Sequence, residues 1–246
     1  MNVLICIDDT DNLESRGTGE LATILAEEIE KRSWGSCNFV TRHQLLIHPD
    51  VPYTSHNSSM CFAVDLDLVH LDTLIAYAGD FLREESAVGS DPGLCVSVID
   101  QLADPEAVIA YGRQAKKEVL NKKMAYDLAA QLGVHLSEHG GTGQGVVGAL
   151  AGIGLRLSGN DGRMKGWLRI QTQNGLASVA DIMDQTELGG VRTMEGELLT
   201  AGEIVEIDSK PKAVFLDGRI YLMVSPVTAS GPVSWRTTPR SQLKKF

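Results

Sequence analysis

The chain has 246 residues and a mass of 26.5 kDa, enough for one large domain or for one domain with a smaller appendage. Its hydrophobic content of 43% and charged content of 22% are ordinary for a globular protein and exclude long disordered segments. The formal net charge of -10 opposes binding to nucleic acid, so such binding would need a local basic patch or a metal ion.

Strand-like and helix-like segments alternate through the first two thirds of the chain. This rhythm predicts an α/β (α+β) fold with a mixed sheet and packed helices. Strands are predicted at residues 1–7, 37–47, 60–68 and 94–99. Helices are predicted at residues 19–32, 71–83 and 122–132, with Gly133 ending the last of them, and Asp104-Pro105 is a typical helix start.

Beyond about residue 163 the sequence changes to short β-prone pieces. Such pieces occur at residues 167–172 and 203–207, and an Asp217-Gly218 turn predicts a hairpin of residues 213–216 and 219–224. We therefore predict a first domain over residues 1–158 and a smaller β-rich carboxyl-terminal part over residues 163–246. The glycine-rich residues 158–162 would join them, although a loop within one domain is the alternative.

The four cysteines have the pattern of buried core residues. Cys6, Cys37, Cys61 and Cys95 lie far apart and mostly within apolar runs, unlike metal-binding pairs or a disulfide framework. This pattern favours a reducing compartment. No signal peptide precedes the first strand and no apolar run approaches the roughly 20 residues that span a bilayer, so we expect a cytoplasmic protein without a membrane partner.

Three carboxylates follow the first predicted strand directly, in Ile7-Asp8-Asp9-Thr10-Asp11. Open α/β folds build their sites at the carboxyl ends of strands, and packed acids favour a cation such as Mg²⁺. We therefore predict that Asp8, Asp9 and Asp11 bind a metal ion. The alternative is a solvated acidic turn in which Asp9 or Asp11 bonds the local backbone.

A second motif is the glycine-rich segment from His139 to Gly148. Gly143, Gly145 and Gly148 fit GxGxxG; such glycines let the backbone approach a phosphate, and the following helix would direct N–H groups at the anion. A Rossmann interpretation fails because a predicted helix, rather than the first strand, precedes the motif. The alternative to a phosphate cradle is close packing of a buried helix.

Five short blocks occur in the same order as in a known family. They are Ile7-Asp8-Asp9-Thr10-Asp11, residues 17–22, residues 51–57, residues 90–94 and residues 143–150. Together they resemble the amino-terminal domain of the archaeal isoleucine-tRNA 2-agmatinylcytidine synthetases, over roughly the first 155 residues. The chain lacks the length and the paired cysteines for the OB-like domain and zinc ribbon of that family.

The resemblance implies a kinase-like domain that uses ATP as substrate with Mg²⁺ and activates a tRNA cytidine for attack by agmatine. By position, Asp8 and Asp9 would act in catalysis, with Asp11 as a further metal ligand. Thr18 falls where the family carries a threonine that is itself phosphorylated; a helix N-cap is its structural alternative. The implied nucleotide-binding residues are Arg42, His56, Asn57, Gly141, Thr142, Gly143, Gly145 and Gly148.

Arg42 has a structural alternative, which is an ion pair with a surface acid. The function predicted is an ATP- and Mg²⁺-dependent phosphotransferase-like or nucleotide-activating enzyme, whose acceptor is a small molecule or an RNA. A non-catalytic nucleotide-binding regulatory module is the alternative. An RNA-binding accessory protein is disfavoured by the net charge and by the aromatic content of 5%. The sequence leaves the oligomeric state open, a homo-oligomer included.

Overall fold

The computed structural model describes residues 1–51, 57–227 and 233–246, so the predicted site residue His56 lies outside the described residues. The chain divides into two compact units, Met1–Ser158 and Gly159–Phe246. We call them the amino-terminal unit and the carboxyl-terminal unit. Within the described ranges, no helix combines the length and the apolar character that crossing a bilayer requires.

The amino-terminal unit combines a β-sheet with α-helices. Its strands are β1 (Asn2–Asp8), β2 (Gly35–Cys37), β3 (Thr41–Gln44), β4 (Ser58–Leu66), β5 (Gly93–Val98) and β6 (His135–Glu138). Its helices are α1 (Thr18–Lys31), α2 (Leu71–Glu85), α3 (Pro105–Gln114), α4 (Lys122–Leu132) and α5 (Gly145–Leu157). The predicted helices and strands of this unit are present with boundaries shifted by a few residues, except that the strand predicted at residues 37–47 is wrong in extent: β2 ends at Cys37 and only Thr41–Gln44 forms the next strand.

The sheet of the amino-terminal unit has the order β6-β5-β1-β4-β3, with β2 also paired to β4. All of these pairs are antiparallel. Helices cover both faces of this sheet. Because successive side chains of a strand point to opposite faces, one strand contributes to the core on each side. Ile5 and Ile7 of β1 join the core formed with α1 and α2, whereas Leu4 and Cys6 join the core formed with α5.

Local signals fix several helix ends. Asp104 caps α3 by accepting a hydrogen bond from the Ala107 N–H at 3.1 Å, and Pro105 follows at the first helical position, as predicted. Helix α4 ends at Gly133, whose φ of +70° is the left-handed conformation that favours glycine. One expectation is wrong: strand β6, and not a helix, immediately precedes the glycine-rich segment.

The carboxyl-terminal unit is β-rich. Its elements are β7 (Arg163–Met164), β8 (Leu176–Ser178), α6 (Val179–Gln185), β9 (Gly190–Thr193), β10 (Ile204–Glu206), β11 (Ala213–Leu216), β12 (Arg219–Pro226) and β13 (Trp235–Thr237). Their order is β7-β11-β12-β13-β10-β8, and β9 pairs with β12. The pairs β9–β12 and β10–β13 are parallel, so the strand pairing within the carboxyl-terminal unit is mixed.

The predicted hairpin joins β11 to β12. Asp217 and Gly218 have φ of +49° and +72°, the conformation of a type I′ turn. The predicted strand at residues 167–172 is wrong, because that segment forms no ladder with another strand. Its backbone N–H groups donate instead to the Pro211 carbonyl and to the Gln185 side chain.

Three cysteines lie side by side in the amino-terminal unit. The register pairs Cys6 with both Cys61 and Cys95, and all three are buried, whereas Cys37 is partly buried. Burial raises the pKa of the Cys6 and Cys95 thiols well above the ordinary value, which keeps them protonated and inert. All four cysteines are free thiols, as predicted for core residues.

Candidate functional site

Strand ends of the amino-terminal unit meet at one edge of its sheet. The register pairs Asp8 with Gly93, Gly93 with Glu138, and Gln44 with Ser58. The carboxyl ends of β1, β3 and β6 therefore lie beside the amino ends of β4 and β5. Both kinds of strand end meet there because the pairing is antiparallel, and Asp8 lies at the carboxyl end of β1 as predicted. We call this region the acidic edge, defined by Asp8, Asp9, Asp11, Asp91 and Glu138.

Asp8 is the last residue of β1 and is only 8% exposed. Its carboxylate lies against Gly148 of α5, so closely that a Cβ at position 148 would collide with it. Burial raises the pKa of Asp8 well above its ordinary value, and the charges of Asp9 and Asp11 raise it further. Only a backbone hydrogen bond at Asp9 opposes this shift. The ionised form of Asp8 is thus poorly compensated.

Asp9 has a left-handed backbone and an unfavourable electrostatic environment. Its φ is +53°, a conformation that non-glycine residues adopt rarely, although Asp tolerates it better than most. Burial raises the pKa of Asp9 to about 6, assisted by the charges of Asp91 and Asp11. A divalent cation between these carboxylates would offset their mutual repulsion.

Asp11 contacts the start of helix α1. Its Oδ2 accepts a hydrogen bond from the Thr18 N–H at 3.3 Å, which satisfies one unpaired donor of the first helical turn. The N-cap position itself belongs to Gly17, so the alternative that Thr18 is the N-cap is wrong. The local turn is predicted at Asp9 or Asp11, but Asn12 makes it: its Oδ1 accepts the N–H groups of Glu14 and Ser15, both at 3.0 Å.

Thr18 is the first residue of α1 and is 6% exposed. It lies one residue beyond Gly17, where the positive end of the helix dipole favours an anionic group. Through its own N–H it is bound to Asp11 and hence to the acidic edge. Phosphorylation of the Thr18 hydroxyl stays a prediction.

Asp91 holds the glycine-rich segment against the sheet by hydrogen bonds. Its carboxylate accepts the Thr142 N–H and, at 2.7 Å, the Thr142 hydroxyl, and its carbonyl accepts the Gly145 N–H at 3.0 Å. Asp91 is not among the site residues predicted from the sequence. The available signal was its position in Ser90-Asp91-Pro92-Gly93, within one of the five blocks.

Glu138 helps to hold the same segment through Lys122. It accepts hydrogen bonds from Lys122 Nζ at 2.7 Å and from the Tyr126 hydroxyl at 2.8 Å, and these contacts lower its pKa. Lys122 Nζ also donates to the Thr142 carbonyl at 2.7 Å. The segment between β6 and α5 is therefore held at Thr142 by groups from two directions.

The glycines of this segment have two different roles. Gly141 and Gly143 have φ of +56° and +73°, which L side chains rarely adopt. Gly145 and Gly148 instead permit close approach of α5 to the sheet, since a Cβ at either position would collide with Asp91, Gly93 or Asp8. Packing thus accounts for Gly145 and Gly148, and the Gly145 N–H is already bonded. Phosphate binding by these glycines and Thr142 stays a prediction.

Two further predicted nucleotide-binding residues lie at the same edge. Arg42 of β3 is half-buried, and its Nε donates to the Ser58 hydroxyl at 2.9 Å. By strand alternation it faces away from Thr41, which bonds Arg156 of α5. The Asn57 side chain donates to the Leu46 carbonyl at 2.6 Å and so joins the chain on either side of residues 52–56. Their nucleotide-binding role stays a prediction.

The acidic edge fits Mg²⁺ in its donor chemistry. Asp8 and Asp9 offer carboxylate oxygens, and the buried hydroxyl of Thr10 has no hydrogen-bond partner among the described residues. Mg²⁺ is commonly held by one or two carboxylates, with water and substrate phosphates completing its octahedron. The described ranges contain no set of three or more His, Cys, Asp or Glu side chains arranged to hold a metal by themselves. This geometry therefore suits a metal ion that binds together with a phosphate-containing substrate, whose oxygens complete its ligand set.

The fold and the site define an α+β protein. In its amino-terminal unit, an acidic cluster lies at one edge of the sheet beside a glycine-rich loop that is held by hydrogen bonds. The chain is homologous to TiaS of Methanosarcina acetivorans, the 2-agmatinylcytidine synthetase that acts on an isoleucine tRNA, with 27% identity over 164 residues. The match covers 63% of this chain and 36% of the synthetase, so the chain spans about a third of its relative's length. No known protein-family profile matches the chain.

Solved structures of TiaS share the fold. The apo enzyme matches with a TM-score of 0.54 and 25% identity, over 63% of this chain and 35% of TiaS. The complex of TiaS with its isoleucine tRNA and ATP matches with a TM-score of 0.55 and 26% identity, over 63% and 36% of the two chains. The predicted resemblance and the predicted mixed α/β fold are confirmed by these matches.

Proposed function

We propose that this chain is an ATP- and Mg²⁺-dependent enzyme that transfers a phosphoryl group to, or activates, an acceptor that is a small molecule or an RNA. The observation that carries the proposal is the position of Asp8 and Asp9 at the end of β1, with the Asp8 carboxylate against Gly148 of α5, and burial and neighbouring carboxylates raise the pKa of both acids. Strongly perturbed acids in one place are typical of functional sites. The relationship to TiaS, which is solved in complex with its tRNA and ATP, supports ATP as the substrate.

In this proposal Asp8 and Asp9 hold the metal ion. Bound Mg²⁺ neutralises phosphate charge and orients the reacting groups. Asp11 positions the start of α1 through the Thr18 N–H, and Asp91 keeps the glycine-rich segment at the site through Thr142. Such transfers depend mainly on positioning and on charge compensation, which these groups supply together with the metal.

The proposed site lies within residues 1–158, which would form the nucleotide-binding domain. The role proposed for Thr18 is that of an acceptor of phosphate, by analogy with the family. Because the chain spans only about a third of the length of TiaS, agmatine transfer to tRNA is not part of the proposal.

The test is calorimetric titration of the full chain with ATP and with a non-hydrolysable analogue, each with and without MgCl₂, followed by chromatography of the nucleotide products. We expect Mg²⁺-dependent binding and slow release of AMP or ADP, which identifies the bond that breaks. Asp9→Asn should abolish the Mg²⁺-dependent part, whereas Asp184→Asn on α6, an exposed acid, should leave it unchanged.

Two outcomes would redirect the proposal. Tight Mg²⁺-dependent binding without products on any acceptor would favour the regulatory module. Absence of nucleotide binding, or equal binding by the wild type and Asp9→Asn, would refute the site.

A further inference from the structure

Trp167 of the carboxyl-terminal unit is exposed. Its relative accessibility is 48%, high for so large an aromatic side chain. The other two tryptophans are engaged within the fold: Trp34 lies 5.5 Å from Tyr77 between ring centroids, and the Trp235 indole N–H donates to Glu203 at 2.8 Å. Trp167 is thus the tryptophan that presents its ring to solvent.

Basic side chains surround Trp167. Lys165 and Arg169 flank it in sequence and are exposed, and Lys210 Nζ lies 5.1 Å from its ring centroid. Among the described residues, none of these three cations forms an ion pair. No acidic residue occurs from position 162 to 180. We call Lys165, Trp167, Arg169 and Lys210 the Trp167 patch.

The segment that carries the patch is held in place without being a strand. Leu168 is buried, and its N–H donates to the Pro211 carbonyl at 2.9 Å. Lys212 Nζ donates to the Gly166 carbonyl. The Gln185 side chain accepts the Gln171 N–H at 2.7 Å. Because its backbone is fixed, this surface would lose little conformational entropy on binding a partner.

The charge of the carboxyl-terminal unit differs from that of the whole chain. Residues 159–246 contain eleven Lys and Arg against ten Asp and Glu, whereas residues 1–158 contain eleven against 22. The net charge of -10 thus originates in the amino-terminal unit, whereas the carboxyl-terminal unit, which carries the Trp167 patch, has one more basic than acidic residue.

We propose that the Trp167 patch binds a single-stranded nucleic acid, with one base stacked on the indole ring and the backbone phosphates beside Lys165, Arg169 and Lys210. An exposed aromatic ring among uncompensated cations is the combination that single-strand binding surfaces use. An acidic peptide would need the cations but not the exposed ring. The inference goes beyond the proposed ATP chemistry and does not depend on it.

The test is fluorescence anisotropy of a labelled single-stranded RNA of mixed sequence, about 12 nucleotides long, titrated with the full chain in the absence of ATP. We expect Trp167→Ala to weaken binding at least about tenfold, and Trp167→Phe, which keeps a stacking ring, to stay within a few-fold of wild type. Lys165→Ala combined with Arg169→Ala should reduce the slope of log affinity against log salt by about 1.4. Lys123→Ala on α4, an exposed lysine, is the control that should change nothing.

Each remaining outcome overturns the proposal. Wild-type protein that does not bind the RNA in low salt lacks the site. Equal affinity in the wild type and Trp167→Ala, with heparin competing as well as RNA, would mean that the patch attracts polyanions without stacking bases. Circular dichroism of Trp167→Ala should match wild type, because the side chain is exposed. Since no nucleotide is added, failure here is separate from failure of the ATP proposal.

Discussion

Asp9 combines a backbone φ of +53° with a carboxyl pKa raised to about 6. Both features cost stability, and such costs persist where the surrounding structure enforces them, often at functional sites. Here Asp11 and Asp91 supply the like charges, and the end of β1 fixes the backbone. A cation would remove part of this cost at the moment of binding.

Asp9→Asn should stabilise the protein at neutral pH. The folded pKa of Asp9 lies above the unfolded value, so its ionisation penalises folding fully above about pH 6 and not at all below about pH 4. We expect a gain of up to about 2 kcal/mol at pH 7.5 after allowing for partial exposure, fading toward pH 4. Asn also tolerates the left-handed backbone. Urea unfolding at several pH values measures this.

The matched control for that experiment is Asp184→Asn. Asp184 is an exposed acid in α6, and we expect its substitution to leave the free energy of unfolding unchanged. A destabilised Asp9→Asn at pH 7.5, or a gain that does not fade on acidification, would contradict the electrostatic account of Asp9.

Asp91→Asn should lower the pKa of Asp9, because the Asp91 charge is the second cause of its elevation after burial. It should also weaken the attachment of Thr142, since a charged acceptor is replaced by a neutral one. Carboxyl NMR titration would report the pKa of Asp9, and amide hydrogen exchange would report faster opening at Thr142. Exchange at Ala107 in α3 should stay as in wild type, and an unchanged Asp9 titration would refute the coupling.

Among the elements, helix α5 is packed unusually closely on the sheet. Gly145 lies against the backbone of Gly93, Gly148 against Asp8, and Gly152 against Ser59, whose Oγ would lie 2.6 Å from an added Cβ. Glycine is unfavourable in helix interiors by about 1 kcal/mol relative to alanine, so its presence here reflects the space between helix and sheet. This approach is also what puts the start of α5 at the acidic edge.

Gly152→Ala should therefore destabilise the protein, against the intrinsic helix preference for alanine. The collision with Ser59 and Cys6 should cost more than the helix gains, giving a net loss of about 1–2 kcal/mol. Denaturant unfolding measures the loss. The control is Gly202→Ala, where nothing lies within 4 Å of the added Cβ and the loss should be absent. Stabilisation by Gly152→Ala would show that α5 can move away from the sheet.

For the whole molecule, the net charge of -10 is the main electrostatic property. Like charges repel within the amino-terminal unit, where 22 acids face eleven basic residues. Screening by salt reduces such repulsion between exposed charges over distances beyond about 10 Å. Salt also weakens attractive ion pairs. Exposed pairs such as Lys123–Asp127 each contribute little to the free energy of unfolding, so this loss is small.

We expect NaCl at about 0.3 M to raise the melting temperature by about 2–4 °C relative to low salt. MgCl₂ at equal ionic strength should raise it further, because the acidic edge offers carboxylates to a divalent ion. Differential scanning calorimetry of wild type and Asp9→Asn distinguishes the two effects. The Mg²⁺ increment should shrink in the variant, while the NaCl effect stays. A falling melting temperature in NaCl would show that attractive pairs dominate.

Local signals in the sequence were sufficient for much of the fold. Asp104-Pro105 gave the start of α3, Gly133 the end of α4, and Asp217-Gly218 the β11–β12 turn, since each depends on the preferences of two or three neighbouring residues. The segment at 167–172 has β-prone composition, yet its backbone donors bond Pro211 and Gln185, which composition cannot reveal.

The sequence by itself determined that acids follow β1, that cysteines lie in the core, and that a glycine-rich turn precedes α5, because these are properties of adjacent residues. Only the tertiary structure decided that Asp91 binds Thr142, 51 residues away, and that Asp8 lies against Gly148. The physical reason is strand register. Antiparallel pairing of β1 with β4 and β5 sets which distant side chains meet at the acidic edge, and no local preference encodes that pairing.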